Sequence, residues 1–191
     1  MLYTVYYDSP VGKLLLAERE EKLAGIWMEG QKYFLGSLEK EARQEADTAV
    51  LQCTRKWLDS YFKGEKPPID ELALGPTGSE FQKAVWKVLC QIPYGKVTTY
   101  GKIAEKIASV RGLSSMSAQA VGGAVGHNPI SIVIPCHRVV GAGGSLTGYA
   151  GGIDKKVKLL TLEGVNMERY VKGCGTEDGE EKGRLKRKKA E

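Results

Sequence analysis

The chain has 191 residues, of which 42% are hydrophobic, and it carries a formal net charge of +5 at pH 7. These values are typical of an ordinary globular protein with one large domain or two small ones. No apolar stretch approaches the length of a membrane span, and residues 1–7 predict a β-strand rather than a signal peptide. We therefore expect no membrane partner and a cytoplasmic location, or a nuclear one if the source has a nucleus.

The charge is unevenly distributed along the chain. Residues 1–75 carry a net charge of −3, residues 76–170 carry +6, and residues 171–191 carry +2. A cationic middle segment favours a polyanionic partner such as nucleic acid. Taken alone this is weak evidence, because a solvated basic face is common in proteins without such a partner.

The first third of the chain predicts an antiparallel sheet followed by helices. Strand-like runs occupy residues 2–7, 13–18 and 23–28, and turn residues separate them. Helical patterns follow at residues 32–40 and 48–62. Glycine and proline interrupt the pattern at residues 64–68 and 75–78, so we place an α/β domain at residues 1–75.

The middle segment predicts a second, mainly α domain at residues 76–170. Ser79 is a candidate N-cap of a first helix, a second helix begins near Thr98 and Thr99, and Ser117 is a candidate N-cap of a third over residues 118–126. Strands are predicted at residues 130–134 and 139–141. Three short helices with such strands indicate a winged helix-turn-helix. Residues 171–191 are predicted to form a disordered basic tail.

The third helix contains two adjacent glycines, Gly122 and Gly123. Glycine lowers helix stability, so the pair needs an explanation. Without side chains, the backbone can approach another surface closely. That surface is either the protein's own core or a nucleic-acid groove read by shape, and the sequence leaves both open. Val121 and Val125 are predicted on one face, with Gln119, Ala120, Gly123 and Ala124 towards the other.

The cysteines and the glycine-rich loops predict no cofactor. The four cysteines are far apart, form no C-x-x-C pair and have only two histidines to help bind a metal, so we expect reduced thiols and no zinc. Cys53 and Cys90 lie in helical patterns and are predicted to be core residues. The loops at residues 141–145 and 147–152 lack the P-loop ending and predict a mobile wall over a pocket.

Cys136 is the candidate nucleophile, because His137 follows it directly and Arg138 comes next. A thiol attacks as the thiolate, which needs a base or a positive charge nearby. The alternative is that residues 131–134 form a core strand and that Cys136 and His137 are packing residues. Pro135 argues for the strand ending there, which would present the thiol at its end.

Four segments together resemble the O6-alkylguanine-DNA alkyltransferases, or methylated-DNA–protein-cysteine methyltransferases. They are residues 135–140 (PCHRVV), 120–124 (AVGGA), 128–129 (NP) and 148–152 (GYAGG). The resemblance is strong from residue 81 to about residue 164 and extends over the N-terminal third only in outline. It implies an N-terminal ribonuclease-H-like α/β domain and a winged helix-turn-helix that docks in the minor groove of duplex DNA.

The implied function is DNA repair by direct reversal. The damaged base, O6-alkylguanine, is flipped into a pocket, and Cys136 accepts its alkyl group irreversibly, once per molecule. His137 would take the thiol proton through a water, Glu163 would orient His137, Asn128 would brace the turn, and Tyr149 would donate towards O6. The implied DNA-contacting residues are Tyr100, Gln119, Ala120, Gly123 and Arg111.

One residue departs from the family pattern. Gln119 stands where most members place an arginine that replaces the flipped base in the duplex, so we expect weaker duplex binding. The segment 109–116, which contains Arg111, is also longer than in the best-known members. The family's zinc ligands are absent, so no metal or other cofactor is expected, and a monomer is predicted. Whether O4-alkylthymine is also a substrate stays open.

Three other classes of protein were weighed against this prediction. A module that recognises alkylated bases without repairing them would lack the acceptor cysteine, which is present here. A papain-like hydrolase would have its histidine far along the chain from the cysteine. A regulatory winged-helix protein would not need Cys136, Glu163 and Tyr149 together.

Overall fold

The structure is a computed structural model, and it describes residues 1–170. The six strands are β1 (Leu2–Ser9), β2 (Gly12–Arg19), β3 (Lys22–Met28), β4 (Arg43–Glu45), β5 (Thr98–Thr99) and β6 (Val139–Val140). The five α-helices are α1 (Ala49–Phe62), α2 (Glu80–Leu89), α3 (Tyr100–Val110), α4 (Ala118–Gly126) and α5 (Ile153–Leu162). Short 3₁₀ turns lie at Gly36–Leu38, Ile69–Glu71, Cys136–Arg138, Ala142–Gly144 and Met167–Arg169.

The N-terminal sheet has the strand order β3-β2-β1-β4. Strands β1, β2 and β3 form the predicted antiparallel meander, and β4 adds to β1 in parallel, which the sequence did not predict. The central strand β2 is buried on both faces. Leu14 and Leu16 belong to the main core, which α1 covers, while Leu15 and Ala17 belong to a smaller core with Trp27 on the opposite face.

Only the second of the two helices predicted in this domain forms. Helix α1 begins after Thr48, whose side chain accepts a hydrogen bond from the Leu51 backbone nitrogen. The helix predicted at residues 32–40 is wrong, because Tyr33 and Leu35 adopt left-handed backbone angles and leave only the single turn Gly36–Leu38. Cys53 is also not a core residue, since it lies on the exposed face of α1.

The three helices predicted in the second domain are confirmed. Ser79 caps α2 in a capping box with Gln82, Thr99 caps α3, and Ser117 caps α4. The three helices pack against one another. Trp86 on α2 donates its indole N–H to the carbonyl of Ala124 in α4, so Ala124 is buried rather than on the predicted outer face.

The predicted strand at residues 130–134 is wrong. Only Ile130 makes a bridge, to Ile26 on the edge of β3, and the chain then turns with Ile132 in the left-handed region at φ 73°. The side chain of Asn128 supplies the hydrogen bonds that a neighbouring strand would otherwise make. The second predicted strand forms as β6, which pairs in parallel with β5. Helix α5 was not predicted.

Two further observations concern the chain as far as it is described. None of its helices is both long and apolar enough to cross a membrane. Within residues 1–170, no group of three or more metal-ligating side chains of His, Cys, Asp or Glu comes together. The predicted disordered tail and Cys174 lie outside the described residues.

Candidate active site

Cys136 is the first residue of a 3₁₀ turn that also contains His137 and Arg138. This turn is not part of a strand, so the two neighbouring side chains are not forced to opposite faces of a sheet. The thiol is 6% exposed, and its Sγ accepts a hydrogen bond from Asn128 Nδ2 at 3.1 Å. A buried thiol with a donor aimed at it can be stabilised as a thiolate.

Asn128 holds the segment that leads to the cysteine. Besides contacting Cys136, its Nδ2 donates to the carbonyl of Ile134 at 2.8 Å, and its Oδ1 accepts from the backbone nitrogen of Ile130 at 3.1 Å. One amide therefore pins both ends of the turn formed by residues 130–134. The residue that braces the turn also contacts the sulfur, so the position of the thiol depends on it.

Opposing influences act on the pKa of Cys136. Burial raises it, whereas the hydrogen bond from Asn128 and the charge of Lys156 lower it, and burial dominates. The resting thiol is therefore protonated at neutral pH. A thiolate forms at Cys136 only if a base removes this proton.

His137 is fully buried beside the thiol residue. Its Nε2 lies 2.7 Å from Glu163 Oε1, whereas its Nδ1 has no hydrogen-bond partner among the described residues. Burial lowers the pKa of His137, although Glu163 opposes this effect. A neutral imidazole that donates from Nε2 to a carboxylate has an unprotonated Nδ1, which can accept a proton.

Glu163 caps α5 and is the centre of a buried polar cluster. Arg138 binds both carboxylate oxygens, through Nε at 2.8 Å and Nη2 at 2.9 Å, and Tyr61 OH donates to Oε1 at 2.8 Å. Burial would raise the pKa of Glu163, but the hydrogen bonds and charges of His137 and Arg138 outweigh it and lower the pKa to about 2. The carboxylate is therefore ionised at neutral pH and fixed in orientation.

Lys156 lies on the other side of the turn, on α5. Its side chain is fully buried, and its Nζ donates to the carbonyls of Val139 at 2.5 Å and Thr147 at 3.0 Å. Burial lowers its pKa to about 8, and the charge of Cys136 acts in the opposite direction. A thiolate at Cys136 and an ammonium at Lys156 therefore stabilise each other.

A cavity of about 900 Å³ opens next to this turn. Its lining includes residues of α4 and of the wall loop, which we define as residues 147–152. Tyr149 lines the cavity, and its buried hydroxyl has no hydrogen-bond partner among the described residues. Tyr100 also lines it and donates to the carbonyls of Thr147 and Gly148, each at 3.3 Å. Cys136 is not part of the lining, but its charge raises the pKa of both Tyr100 and Tyr149.

The exposed face of α4 carries only short or uncharged side chains. Gln119 and Gly122 line the cavity, while Ala120 and Gly123 are exposed. A methyl group added at Gly123 would meet nothing within 4 Å, so packing inside the protein does not require this glycine. Arg111, at the end of α3, is not brought to the cavity, because its guanidinium lies over the Phe81 ring at 5.5 Å.

Both parts of the chain match models of one protein family. Residues 80–165 match the DNA-binding domain of 6-O-methylguanine DNA methyltransferase, and residues 1–76 match its ribonuclease-like domain. The chain belongs to the 6-O-methylguanine DNA methyltransferase family.

Individual members of the methyltransferase family resemble the chain over most of its length. A protein of Haemophilus influenzae named methylated-DNA–protein-cysteine methyltransferase is 40% identical over 162 residues, which cover 85% of this chain and 86% of that protein. A Methanosarcina acetivorans protein of the same name is 42% identical over 164 residues, covering 85% and 99%. The structure of Mycobacterium tuberculosis OGT in complex with DNA has a TM-score of 0.72 and 39% identity, with 88% and 94% covered.

The methyltransferase site contains three polar residues to which sequence reasoning gave no role. Arg138 was part of the recognised motif, and its position two residues after Cys136, the predicted nucleophile, was the available signal. Tyr61 is distant from Glu163 in sequence and follows the apolar pattern of α1, so nothing in the sequence indicated that its hydroxyl would bond a carboxylate. Lys156 lies on the unpredicted α5, where apolar residues at 153, 157, 159 and 160 were the signal for a helix.

Proposed function

We propose that this protein repairs alkylated DNA by direct reversal, by moving the alkyl group of O6-alkylguanine in duplex DNA to Cys136. Family membership supports the reaction class. The residue assignment rests on two buried contacts, that of Asn128 with the Cys136 sulfur and that of His137 with Glu163. In this assignment Cys136 is the nucleophile, Asn128 braces its turn, His137 is the base and Glu163 orients His137.

Proton removal would start the reaction. The thiol proton of Cys136 passes to Nδ1 of His137 through a water, and Glu163 stabilises the imidazolium that forms. The unpartnered Nδ1 supports this role. The thiolate is then held by the Asn128 amide and by the Lys156 charge.

Transfer follows as a displacement at the alkyl carbon. The sulfur forms a bond to that carbon while the bond from carbon to guanine O6 breaks, and the electron pair stays with the guanine. Tyr149 OH would donate a hydrogen bond to O6 as negative charge develops there. The guanine anion takes up one proton, which balances the proton that left the thiol, so the products are unmodified guanine and a thioether at Cys136. The carbon–sulfur bond of a thioether is stable to water, so each molecule reacts once.

Presentation of the base requires a DNA surface. We assign this surface to a winged helix-turn-helix in which α4 enters the minor groove, with Gln119, Ala120 and Gly123 on its DNA-facing side. The lack of bulk there supports close backbone approach to a groove. Tyr100 would act on the base or its phosphate at the edge of the cavity. Flipping costs a few kcal/mol, which helix insertion offsets.

The test is direct mass measurement of the protein after reaction. Incubation with a duplex carrying one O6-methylguanine is expected to add one methyl group to the Cys136 peptide, with guanine restored in the DNA. Cys136→Ala should take up no methyl while still binding the duplex. Cys53→Ser removes an exposed thiol and should react as the wild type does, which controls for unspecific thiol alkylation.

Two outcomes would overturn the proposal. Methyl uptake at Cys53 as well as at Cys136 would mean that the lesion alkylates thiols without a dedicated site. Tight binding without transfer would mean a damage-recognition module with an idle cysteine.

A further inference from the structure

We propose that Lys32 and Tyr33, in the N-terminal domain, form a second DNA contact on the phosphate backbone that borders the cavity. The inference rests on the proposed function, since it takes duplex DNA as the partner. It adds to the helix-turn-helix a binding surface from the other domain.

Lys32 and Tyr33 lie beside the cavity. We define the N-domain loop as residues 29–38. Within it, the backbone nitrogen of Lys32 donates to the carbonyl of Ala150 in the wall loop at 3.2 Å. The ring of Tyr33 stacks on His127 with 3.9 Å between centroids and 28° between planes. Both Lys32 and Tyr33 line the cavity, as does Gln119 of α4.

The backbone of the N-domain loop is fixed by hydrogen bonds and by its packing. Gln31 is buried, its side-chain Oε1 accepts from the Met28 backbone nitrogen at 2.7 Å, and its own nitrogen donates to the Met28 carbonyl. Tyr33 and Leu35 both have positive φ angles near 60°. Such backbone angles are unfavourable for residues other than glycine, and they persist where the surroundings fix them, often at functional sites. The N-domain loop is thus held in one conformation.

Core packing accounts for Leu35 and Leu38 of the N-domain loop but not for Lys32 and Tyr33. Leu35 and Leu38 are buried in the small core and account for the loop's anchoring. Lys32 and Tyr33 point outward, and Tyr33 is 52% exposed. His127 beneath Tyr33 is the C-cap residue of α4, and its Nδ1 lies 2.7 Å from the Gly123 carbonyl. The tyrosine therefore extends the surface of α4 across the domain boundary.

Lys32 and Tyr33 carry groups that are chemically complementary to phosphate. A lysine ammonium and a tyrosine hydroxyl are both donors for phosphate oxygens, and such contacts position a protein on DNA without reading sequence. Because α4 offers no charged side chain on its exposed face, a cation supplied by Lys32 in the cavity lining would add the phosphate attraction that Gln119 lacks.

The chain contains a matched control pair. Tyr6 is 53% exposed, nearly the same as Tyr33, and Lys13 lies 5.6 Å from the centre of its ring. Both residues belong to the N-terminal sheet, and neither lines the cavity. Lys13→Gln changes the net charge exactly as Lys32→Gln does, so the pair separates a local contact from general electrostatics.

The experiment measures binding to an undamaged duplex, which requires no chemistry, across a range of about 0.05 to 0.2 M salt. Loss of one phosphate contact is expected to reduce the slope of log K against log salt by about one and to weaken binding at 0.1 M salt by about eightfold. We expect this for Lys32→Gln, with Lys32→Arg restoring the slope. Tyr33→Ala should weaken binding and Tyr33→Phe less so, whereas Lys13→Gln and Tyr6→Ala should match the wild type.

Transfer kinetics complete the test. Lys32→Gln should slow methyl transfer from limiting duplex but leave transfer from free O6-methylguanine base unchanged, because the base itself is not contacted. An unchanged salt slope in Lys32→Gln, or an equal loss in Lys13→Gln, would overturn the inference while a methylated Cys136 still supports the proposed function. A changed slope with no methyl transfer by the wild type would support the contact and overturn the repair function instead.

Discussion

The two sides of the Cys136–Arg138 turn differ in how fully their polar atoms are paired. Towards α1, Glu163 is bonded by His137, Arg138 and Tyr61, so both of its oxygens are used. Towards the cavity, the buried hydroxyl of Tyr149 has no partner among the described residues. Buried polar atoms are normally satisfied, so the exceptions point to groups that a substrate would satisfy. In the proposed reaction, the first side would hold the base His137 in a fixed orientation, and the second would keep a hydrogen-bond donor for the guanine.

Glu163→Gln should have the largest effect on this arrangement. It leaves Arg138 buried without its counter-charge, which is expected to lower the free energy of unfolding by about 3–5 kcal/mol and to slow methyl transfer. Urea unfolding and single-turnover kinetics measure the two effects. Glu168→Gln, at an exposed carboxylate, is the control. Equal stability of the two variants would show that the cluster is not held by this charge.

Acid should weaken the same cluster. The pKa of Glu163 is lowered to about 2 in the folded protein, against 4.5 for the unperturbed group. Its contribution to stability is therefore complete above about pH 4.5 and is lost as the pH falls towards 2, by about 3 kcal/mol in total. Unfolding free energies measured from pH 6 downward should show this decline. Glu163→Gln should show a decline smaller by the same amount, and a parallel curve would contradict the assignment.

A pair of tyrosine variants tests the two sides directly. Tyr61→Phe removes a hydrogen bond to a buried carboxylate and should cost about 1.5–3 kcal/mol of stability. Tyr149→Phe removes an unpartnered hydroxyl, so stability should not fall, but methyl transfer should slow on the order of 10²-fold if the hydroxyl assists O6. Thermal unfolding and transfer rates are the measurements. A stability loss in Tyr149→Phe would mean that its hydroxyl serves the fold.

Gln119→Arg should have the smallest effect and leaves the turn untouched. An arginine on the exposed face of α4 is expected to strengthen duplex binding by about eightfold at 0.1 M salt, the value of one added phosphate contact. Gln52→Arg adds the same charge on α1, where the side chain is also exposed, and should change binding little. If both variants bind the duplex like the wild type, position 119 does not contact DNA.

Local patterns in the sequence predicted most of the helices and the meander. Ser79, Thr99 and Ser117 each precede a helix as its N-cap, because capping depends on a few neighbouring residues. The failures have long-range causes. Residues 130–134 look like a strand, yet Asn128 bonds them into a turn. Residues 32–40 look helical, yet burial of Leu35 and Leu38 on the sheet imposes left-handed angles.

The candidate site shows the same division between local and long-range information. The Cys136-His137 pair and the resemblance to a family predicted Cys136, His137, Glu163 and Asn128 as site residues. In the structure Asn128 contacts Cys136, and Glu163 contacts His137. Tyr61 could not be found, because it approaches Glu163 from 102 positions away in the chain. Arg111 was placed with the DNA-contacting residues, but its stacking on Phe81 depends on how α2 and α3 pack.

The bridge between Ile26 and Ile130 has a consequence for how the molecule folds. The backbone of Ile26 on edge strand β3 exchanges hydrogen bonds with Pro129 and Ser131, and Leu23 bonds Ala73 and Gly75 in the same way. Pro129 and Ser131 of the second domain thus cover one part of this strand edge, whereas Ala73 and Gly75 of the N-terminal domain cover the other part. Cutting the chain between its domains would expose the part at Ile26 to pairing with other molecules. Main-chain hydrogen bonds thus join the two domains, so we expect them to fold as one cooperative unit.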